Sequence, residues 1–320
     1  MQADLETIRA AAGQVYAEMA PTPQYCWPLL CERLGTEVWV KHENHTPIGA
    51  FKIRGGLVYF AHHAKSGALR QGVISATRGN HGQSLAFAAR RYGVPATIVV
   101  PHGNSVEKNA AMRALGAEVI EAGDDFQAAR EQAARLAGER GLHQMPAFHP
   151  LLVVGVATYA DELLSAVAGL DVVYVPIGLG SGICGMVAAR DALGLKTRIV
   201  GVVSAHARAY ADSFAAGRVI ESPADTRLAD GIACRVPEAE ALEIIRRGVD
   251  RIVTVTDDEV ASAMRTLFEC THQVCEGAGA AATAAALQER SALSGLRVAV
   301  VVSGGNVDRN VFATVLAEAG

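Results

Sequence analysis

The stretch DVVYVPIGLGSGICG (residues 171–185) joins a β-branched run, a glycine-rich loop and the start of a helical pattern. All of it after Asp171 belongs to a charge-free segment, residues 172–189, whose length is close to that of a membrane span. Pro176 and four glycines interrupt that segment, so we interpret it as a strand, a loop and a helix. Because ligands of open α/β sheets bind just beyond the carboxyl ends of strands, the stretch predicts an α/β fold with a ligand at this loop.

The alternation of strands and helical segments continues on both sides of this stretch. It predicts an α/β fold of two open, twisted, mainly parallel sheets with helices on both faces. Helical patterns cover residues 80–92 and 126–140, and another begins with a capping-box order at Thr256. Eight strands are too many for one small sheet, and residues 141–150, with two prolines, are the expected crossing between sheets. The predicted strands are residues 37–42, 72–77, 96–101, 118–122, 171–176, 198–203, 251–255 and 297–302.

Composition restricts the class of protein. Half of the 320 residues are apolar, which excludes a disordered chain and a small disulfide scaffold. The net charge of −4, without a long basic stretch, gives no basis for binding nucleic acid or an anionic membrane. Six cysteines without a repeating spacing, and an amphipathic N-terminus instead of a signal peptide, indicate a cytoplasmic protein with reduced thiols. The expected partner is a small molecule or another protein surface.

The spacing of Gly180, Gly182 and Gly185 in the glycine loop matches a dinucleotide-binding fingerprint. That fingerprint also needs a carboxylate at the end of the next strand to bind the ribose. The next predicted strand ends in VVSAH (residues 202–206), which contains no carboxylate. The loop therefore predicts a cradle for a phosphate without a dinucleotide, and a tight turn whose glycines serve only packing stays open.

Lysine is scarce in this chain, with five residues against 24 arginines. Lys52 stands between Phe51 and Ile53 in GAFKIRGG, among apolar neighbours. Such surroundings lower the pKa of an amine, which favours a Schiff base with a carbonyl compound. The alternative is a lysine at a helix start whose charged end reaches solvent.

Four motifs occur together: KHENHTPIGAFKIRGG (41–56), SATRGNHGQS (75–84), PIGLGSGICG (176–185) and VVSGGNVD (301–308). In order and spacing they resemble the fold-type II pyridoxal-phosphate enzymes, and within these the serine/threonine dehydratase group. The resemblance implies a fold like that of the tryptophan synthase β chain. It also implies a large cofactor-binding domain of residues 1–42 and 146–320, and a small substrate-loop domain of residues 43–145.

The resemblance assigns roles to individual residues. It implies that Lys52 holds pyridoxal 5'-phosphate as a Schiff base and moves the Cα proton, and that Ser303 faces the pyridine nitrogen with a neutral hydroxyl. The implied cofactor-binding set is Phe51, Lys52, Asn80, Gly178, Leu179, Gly180, Ser181, Gly182, Glu276 and Ser303. The implied substrate-binding set is Thr77, Arg78, Gly79, Asn80 and His81.

Two departures from the family pattern affect the expected chemistry. Arg78 stands where many relatives have a small residue, and where racemising relatives have the serine that acts as a second acid/base. An arginine there binds an anionic substrate group, or turns outward into a salt bridge. Val203, Ala207 and Ala209 stand where relatives bind a divalent cation, so we expect no metal at that position.

The predicted function is dehydration and deamination of a 3-hydroxy-L-amino acid, with L-threonine or L-serine as the default substrate. Alternatives are a larger or anionic substrate (a hydroxyectoine-derived amino acid, hydroxyaspartate or phenylserine), an amino-acid racemase, a nicotinamide-dependent oxidoreductase and a non-catalytic binding protein. The resemblance also implies a homodimer. The last motif ends at Asp308, twelve residues before the end of the sequence, so we expect the short, catabolic type without a regulatory domain.

Overall fold

The computed structural model describes residues 3–318, in which strands and helices alternate along the chain. The strands are β1 (Gln24–Cys26), β2 (Glu37–His42), β3 (Val73–Ala76), β4 (Ala96–Val100), β5 (Glu118–Glu121), β6 (His143–Gln144), β7 (Val172–Pro176), β8 (Arg198–Ser204), β9 (Arg251–Val255) and β10 (Arg297–Val302). The helices are α1 (Leu5–Tyr16), α2 (Pro28–Leu34), α3 (Lys52–Ser66), α4 (Asn80–Tyr92), α5 (Val106–Ala114), α6 (Phe126–Arg140), α7 (Pro150–Ala166), α8 (Ser181–Ala192), α9 (Ala209–Ala216), α10 (Ala239–Gly248), α11 (Asp257–Thr271), α12 (Gly277–Gln288) and α13 (Arg309–Ala317).

The larger sheet has six strands in the order β1-β2-β10-β7-β8-β9, and all neighbours except β1 and β2 run parallel. Helices cover both of its faces, and the central strand β7 is buried along its whole length. Because side chains alternate along a strand, Val173 and Val175 pack in the cluster that includes α7 and α8. Val172 and Tyr174 pack on the opposite face, in the cluster that includes α11 and α12.

The smaller sheet has four parallel strands in the order β5-β4-β3-β6. Ile74 and Val99 pack against α6 on one face of this sheet. Val73 and Ile98 belong to the cluster on the other face, which contains buried residues of α3, α4 and α5. Each sheet therefore has the two-sided helical cover that its apolar strands predict.

The predicted α/β class and all eight predicted strands are confirmed, each within one residue at either end. Helices α4 and α6 have the predicted bounds, and Thr256 and Glu259 form the predicted capping box of α11. Strands β1 and β6 were missed, because edge strands of three and two residues carry no detectable alternation. The boundaries of the two domains stay a prediction, although β1, β2 and β7–β10 share one sheet and β3–β6 the other.

Among the described residues, no helix combines the length and the apolar character that crossing a membrane requires.

Candidate active site

A cavity of about 410 Å³ opens at the carboxyl ends of β3 and β7, and all predicted site residues line it. These are Phe51, Lys52, Thr77, Arg78, Gly79, Asn80, His81, Gly178, Leu179, Gly180, Ser181, Gly182, Glu276 and Ser303. Thr77 to His81 follow a strand of the smaller sheet, whereas the glycine loop and Ser303 follow strands of the larger sheet. The structure thus brings the predicted residues together, and their individual roles stay predictions.

Lys52 is the first residue of α3, and its neighbours fix its backbone on both sides. The Phe51 N–H donates to the Ser303 carbonyl oxygen (3.1 Å), and the Ser84 hydroxyl donates to the Lys52 carbonyl oxygen (2.6 Å). Burial lowers the pKa of the Lys52 amine to about 8, although the charge of Glu276 acts in the opposite direction. The neutral fraction of this amine near physiological pH is therefore far larger than that of a lysine in water, as a nucleophile requires.

The glycine loop, residues 178–182, joins the end of β7 to the start of α8 at Ser181. Gly180 has a φ of +101°, and a Cβ at Gly178 would lie 2.5 Å from the Gly231 carbonyl oxygen. Within residues 3–318, no main-chain acceptor takes a hydrogen bond from the N–H groups of residues 178–182. A row of free amides at a helix N-terminus is a binding site for an anion such as phosphate.

The substrate loop, residues 77–81, joins β3 to the N-terminus of α4. The Gly79 N–H donates to the Thr77 hydroxyl oxygen at 3.0 Å, so the two residues form a tight turn before α4. Burial and the nearby charge of Lys52 lower the pKa of His81 to about 3, which keeps its ring neutral. The buried His81 Nε2 has no hydrogen-bond partner within the described part of the chain, so it is free to contact a bound molecule.

Three arginines, Arg78, Arg130 and Arg235, line the same cavity from three different segments. All three are exposed, and within residues 3–318 none of them lies within ion-pair distance of a carboxylate. The salt bridge considered for Arg78 is therefore not present among the described residues. Arg130 and Arg235 were not predicted, since an exposed arginine in a helix or a loop carries no signal of its own in a single sequence.

Three residues of the polar network around the predicted Asn80 and Glu276 were missed by the sequence analysis: Lys108, Asp230 and Asn306. The Lys108 ammonium lies 3.0 Å from both Asp230 Oδ2 and Glu276 Oε2. The Asn80 amide donates to Glu276 Oε1 and accepts from the Asn306 amide at 2.9 Å. Lys108 is one of only five lysines, and this scarcity was a usable signal.

Residues 15–304 match the family described as "Pyridoxal-phosphate dependent enzyme". The chain belongs to this family. Its cofactor is accordingly pyridoxal phosphate, and the nicotinamide-dependent alternative based on the glycine fingerprint is set aside.

Similar proteins of this family match nearly the whole chain. An L-threonine ammonia-lyase of Thermotoga maritima is 35% identical over 309 residues, which are 96% of this chain and 77% of that protein. An L-threo-3-hydroxyaspartate ammonia-lyase of Saccharomyces cerevisiae is 33% identical over 308 residues, 96% of this chain and 94% of that protein. The structure of maize serine racemase superposes with a TM-score of 0.91 at 28% identity, covering 98% of this chain and 97% of that chain.

The residues of the cavity fit the cofactor of this family. The free amides of the glycine loop suit its phosphate, and the Lys52 amine suits its aldehyde. The Ser303 hydroxyl is buried, and its only hydrogen bond to a described residue is a long one, 3.4 Å, to the Ala278 carbonyl oxygen. Within residues 3–318, no group of three or more His, Cys, Asp and Glu side chains is arranged to hold a metal ion.

Proposed function

We propose that this enzyme eliminates water from a 3-hydroxy-L-amino acid, L-threonine or L-serine by default. The enamine that is released tautomerises, and a water molecule hydrolyses it to a 2-oxo acid and ammonia. The observation that supports this most strongly is the position of Lys52, a buried amine with a lowered pKa in a cavity that the N-termini of α4 and α8 also line. The similarity to an L-threonine ammonia-lyase over nearly the whole chain supports the same reaction. When bound, pyridoxal phosphate supplies an electron sink for negative charge at the substrate Cα.

Residues of the chain orient the substrate, take the Cα proton and bind the cofactor. The free N–H groups at the start of α4 and the Thr77 hydroxyl orient the substrate carboxylate. The Lys52 amine takes the Cα proton, because its lowered pKa leaves it neutral for part of the time at pH 7. Asn80 and Glu276 form a hydrogen-bonded pair beside this amine and hold the polar edge of the cofactor.

The direct test is release of 2-oxo acid from L-threonine and L-serine by the purified holoenzyme. Lys52→Ala is expected to abolish turnover, while Lys65→Ala, an exposed lysine in the last turn of α3, leaves it unchanged. Turnover that persists in Lys52→Ala would contradict the proposed mechanism. Formation of D-serine from L-serine at the rate of 2-oxo acid release would instead identify a racemase.

A second candidate, a substrate with an anionic side chain, is supported by Arg78, Arg130 and Arg235. Three cavity-lining guanidinium groups without carboxylate partners suit a second carboxylate, which they bind in a bidentate manner. A relative that acts on L-threo-3-hydroxyaspartate supports the same class.

The ratio of kcat/KM for threo-3-hydroxyaspartate to that for threonine tests this candidate. Arg78→Gln and Arg130→Gln are expected to lower the ratio at least about tenfold, since a charge-assisted hydrogen bond contributes roughly 1.5–3 kcal/mol. Arg135→Gln is the control, because Arg135 lies one turn further along α6 and pairs with Glu139 at the surface. An unchanged ratio in both variants would leave a neutral 3-hydroxy amino acid as the substrate.

We also propose a homodimer that acts in the cytoplasm. The resemblance to the dehydratases supports the dimer, and the six cysteines, all free thiols in the described structure, support a reducing compartment. Light scattering on the purified holoenzyme measures its mass, and a monomer would contradict the first part of the proposal.

A further inference from the structure

Three neighbouring residues at the start of α5 form hydrogen bonds or ion pairs with the layer of the larger sheet. The hydroxyl of Ser105, the N-cap of α5, donates to the Asp308 carboxylate, and Glu107 accepts from the Arg309 N–H at 2.8 Å. Both of these contacts lie outside the catalytic cavity. The third residue, Lys108, is the only one of the three that lines the cavity.

Lys108 touches both halves of the site with one side chain. Its ammonium lies between Asp230 and Glu276, 3.0 Å from a carboxylate oxygen of each. Its aliphatic part packs against the substrate loop so closely that a Cβ at Gly79 would lie 2.4 Å from Lys108 Cδ. The side chain is only 8% exposed, so it has little freedom to leave this position.

We propose that Lys108 is a positioning residue, which fixes the substrate loop against the larger sheet and keeps the buried Glu276 carboxylate ionised beside Lys52. This inference rests on the proposed function, because it concerns the same site. The inference adds Lys108 to the proposed site, as an ion-paired residue that connects the layers of the two sheets beside Lys52.

The charges around Glu276 explain why an ammonium is needed there. Glu276 is 2% exposed, and it faces Lys108, Asp230, Lys52 and the Cys275 thiol. Burial raises the pKa of Glu276 and Asp230 raises it further, whereas Lys108 lowers it. Without the ammonium, the pKa of Glu276 would rise further, which favours the neutral carboxyl group next to Lys52.

The same charges exclude Lys108 as the group that moves the substrate proton. Burial alone would lower its pKa, but Glu276 and Asp230 together raise it well above the usual value. An ammonium held between two carboxylates keeps its proton throughout the physiological range. Lys108 therefore acts by position and charge, and the proton transfer belongs to Lys52.

The key variant is Lys108→Met, which keeps the stem against Gly79 and removes the charge. We expect kcat/KM for threonine to fall about 10²-fold, since small displacements of catalytic groups have effects of this size. Lys108→Arg restores the charge and is expected to recover part of this loss. The matched control is Glu107→Gln, which removes an outer contact of the same turn and should change kcat/KM less than about twofold.

The pH dependence of thermal unfolding gives a readout that needs no turnover. A carboxyl group whose pKa is higher in the folded than in the unfolded state destabilises the protein as pH rises from its unfolded pKa to its folded pKa. Since Lys108→Met raises the folded pKa of Glu276 further, the deficit in melting temperature relative to the wild type should be larger at pH 8 than at pH 5. Asp230→Asn removes a charge that raises this pKa, so its deficit should change with pH in the opposite direction.

Opposite pH trends in the two variants would support the proposal, and equal trends, or a Lys108→Met variant that behaves like Glu107→Gln, would overturn it. If Lys108→Met does not fold, the proposal is tested by Asp230→Asn alone, through the change with pH of its deficit in melting temperature relative to the wild type. If the wild type releases no 2-oxo acid from any 3-hydroxy amino acid, the proposed function fails, while the unfolding measurements still decide the role of Lys108.

Discussion

The protonation state of the Lys52 amine results from two opposing effects at the level of single residues. Burial removes water from the ammonium and lowers its pKa to about 8, while the Glu276 carboxylate favours the charged form. The first effect is larger, so the amine is far more acidic than a lysine in water. Phe51, whose ring centroid lies 4.7 Å from Lys52 Nζ, contributes to the apolar side of this environment.

We predict that attachment of pyridoxal phosphate to the cofactor-free protein becomes faster as pH rises through about 8 and levels off above this pH. Only the neutral amine attacks the aldehyde, and the pKa of about 8 sets the midpoint. In Glu276→Gln the midpoint should move to lower pH, because the charge that raises the pKa of Lys52 is gone. Stopped-flow absorbance between pH 6 and 10 measures both, and a rate that still rises at pH 10 in the wild type would contradict the prediction.

At the level of elements, a buried ion network fixes the first turn of α3, which carries Lys52. Arg54 donates to Glu43 at 2.7 Å, just after β2, and to Glu162 of α7 at 2.6 Å. Lys41 of β2 pairs with the same Glu162 at 2.5 Å. Two cations and two anions balance in a region where Arg54, Glu43 and Lys41 are fully buried, so each depends on its partners.

Arg54→Met is predicted to lower the free energy of unfolding by about 3–5 kcal/mol, because it leaves Glu43 buried without its main cation. The control is Arg135→Met, which removes a surface ion pair of α6 and should have little effect on unfolding. Denaturant unfolding of both variants at constant cofactor concentration measures the difference. Equal effects of the two substitutions would show that the network adds no more than a surface pair.

At the level of the whole molecule, the site exists only where the two sheets meet. The glycine loop and Ser303 follow strands of the larger sheet, and residues 77–81 follow a strand of the smaller one. Asn80 connects them through its hydrogen bonds to Glu276 and Asn306. A ligand that contacts both sides therefore stabilises the arrangement of the sheets as well as each loop.

Pyridoxal phosphate is accordingly predicted to raise the melting temperature of the cofactor-free protein. At a free concentration one hundred times Kd, linkage gives about 2.7 kcal/mol. For a chain of this size that corresponds to an increase of roughly 5 °C. Differential scanning fluorimetry with increasing cofactor concentration measures it, and Lys52→Ala should show a smaller increase because the covalent attachment is lost.

Much of the fold could be predicted from the sequence, because the information is local. Strand β7 and the loop after it are recognisable from a β-branched run followed by glycines, and the bounds of α4 and α6 follow from helical periodicity and the glycines that end them. The predicted site residues were also found locally, since they stand in short motifs whose order indicates the family. Strands β1 and β6 were missed because pairing with a neighbour defines them, and their own residues do not.

The sequence by itself determined the fold class. It also predicted the amine that would receive the cofactor and the glycine loop that would receive its phosphate, because each prediction depends on residues adjacent in the chain. Only the tertiary structure decided which charged groups surround that amine. Lys108, Asp230 and Glu276 are far apart in sequence and meet because α5 of one layer faces the other layer across the cavity. Burial then makes their ion pairs strong and the pKa of Lys52 low, and burial is a property of the packed molecule that no single residue carries.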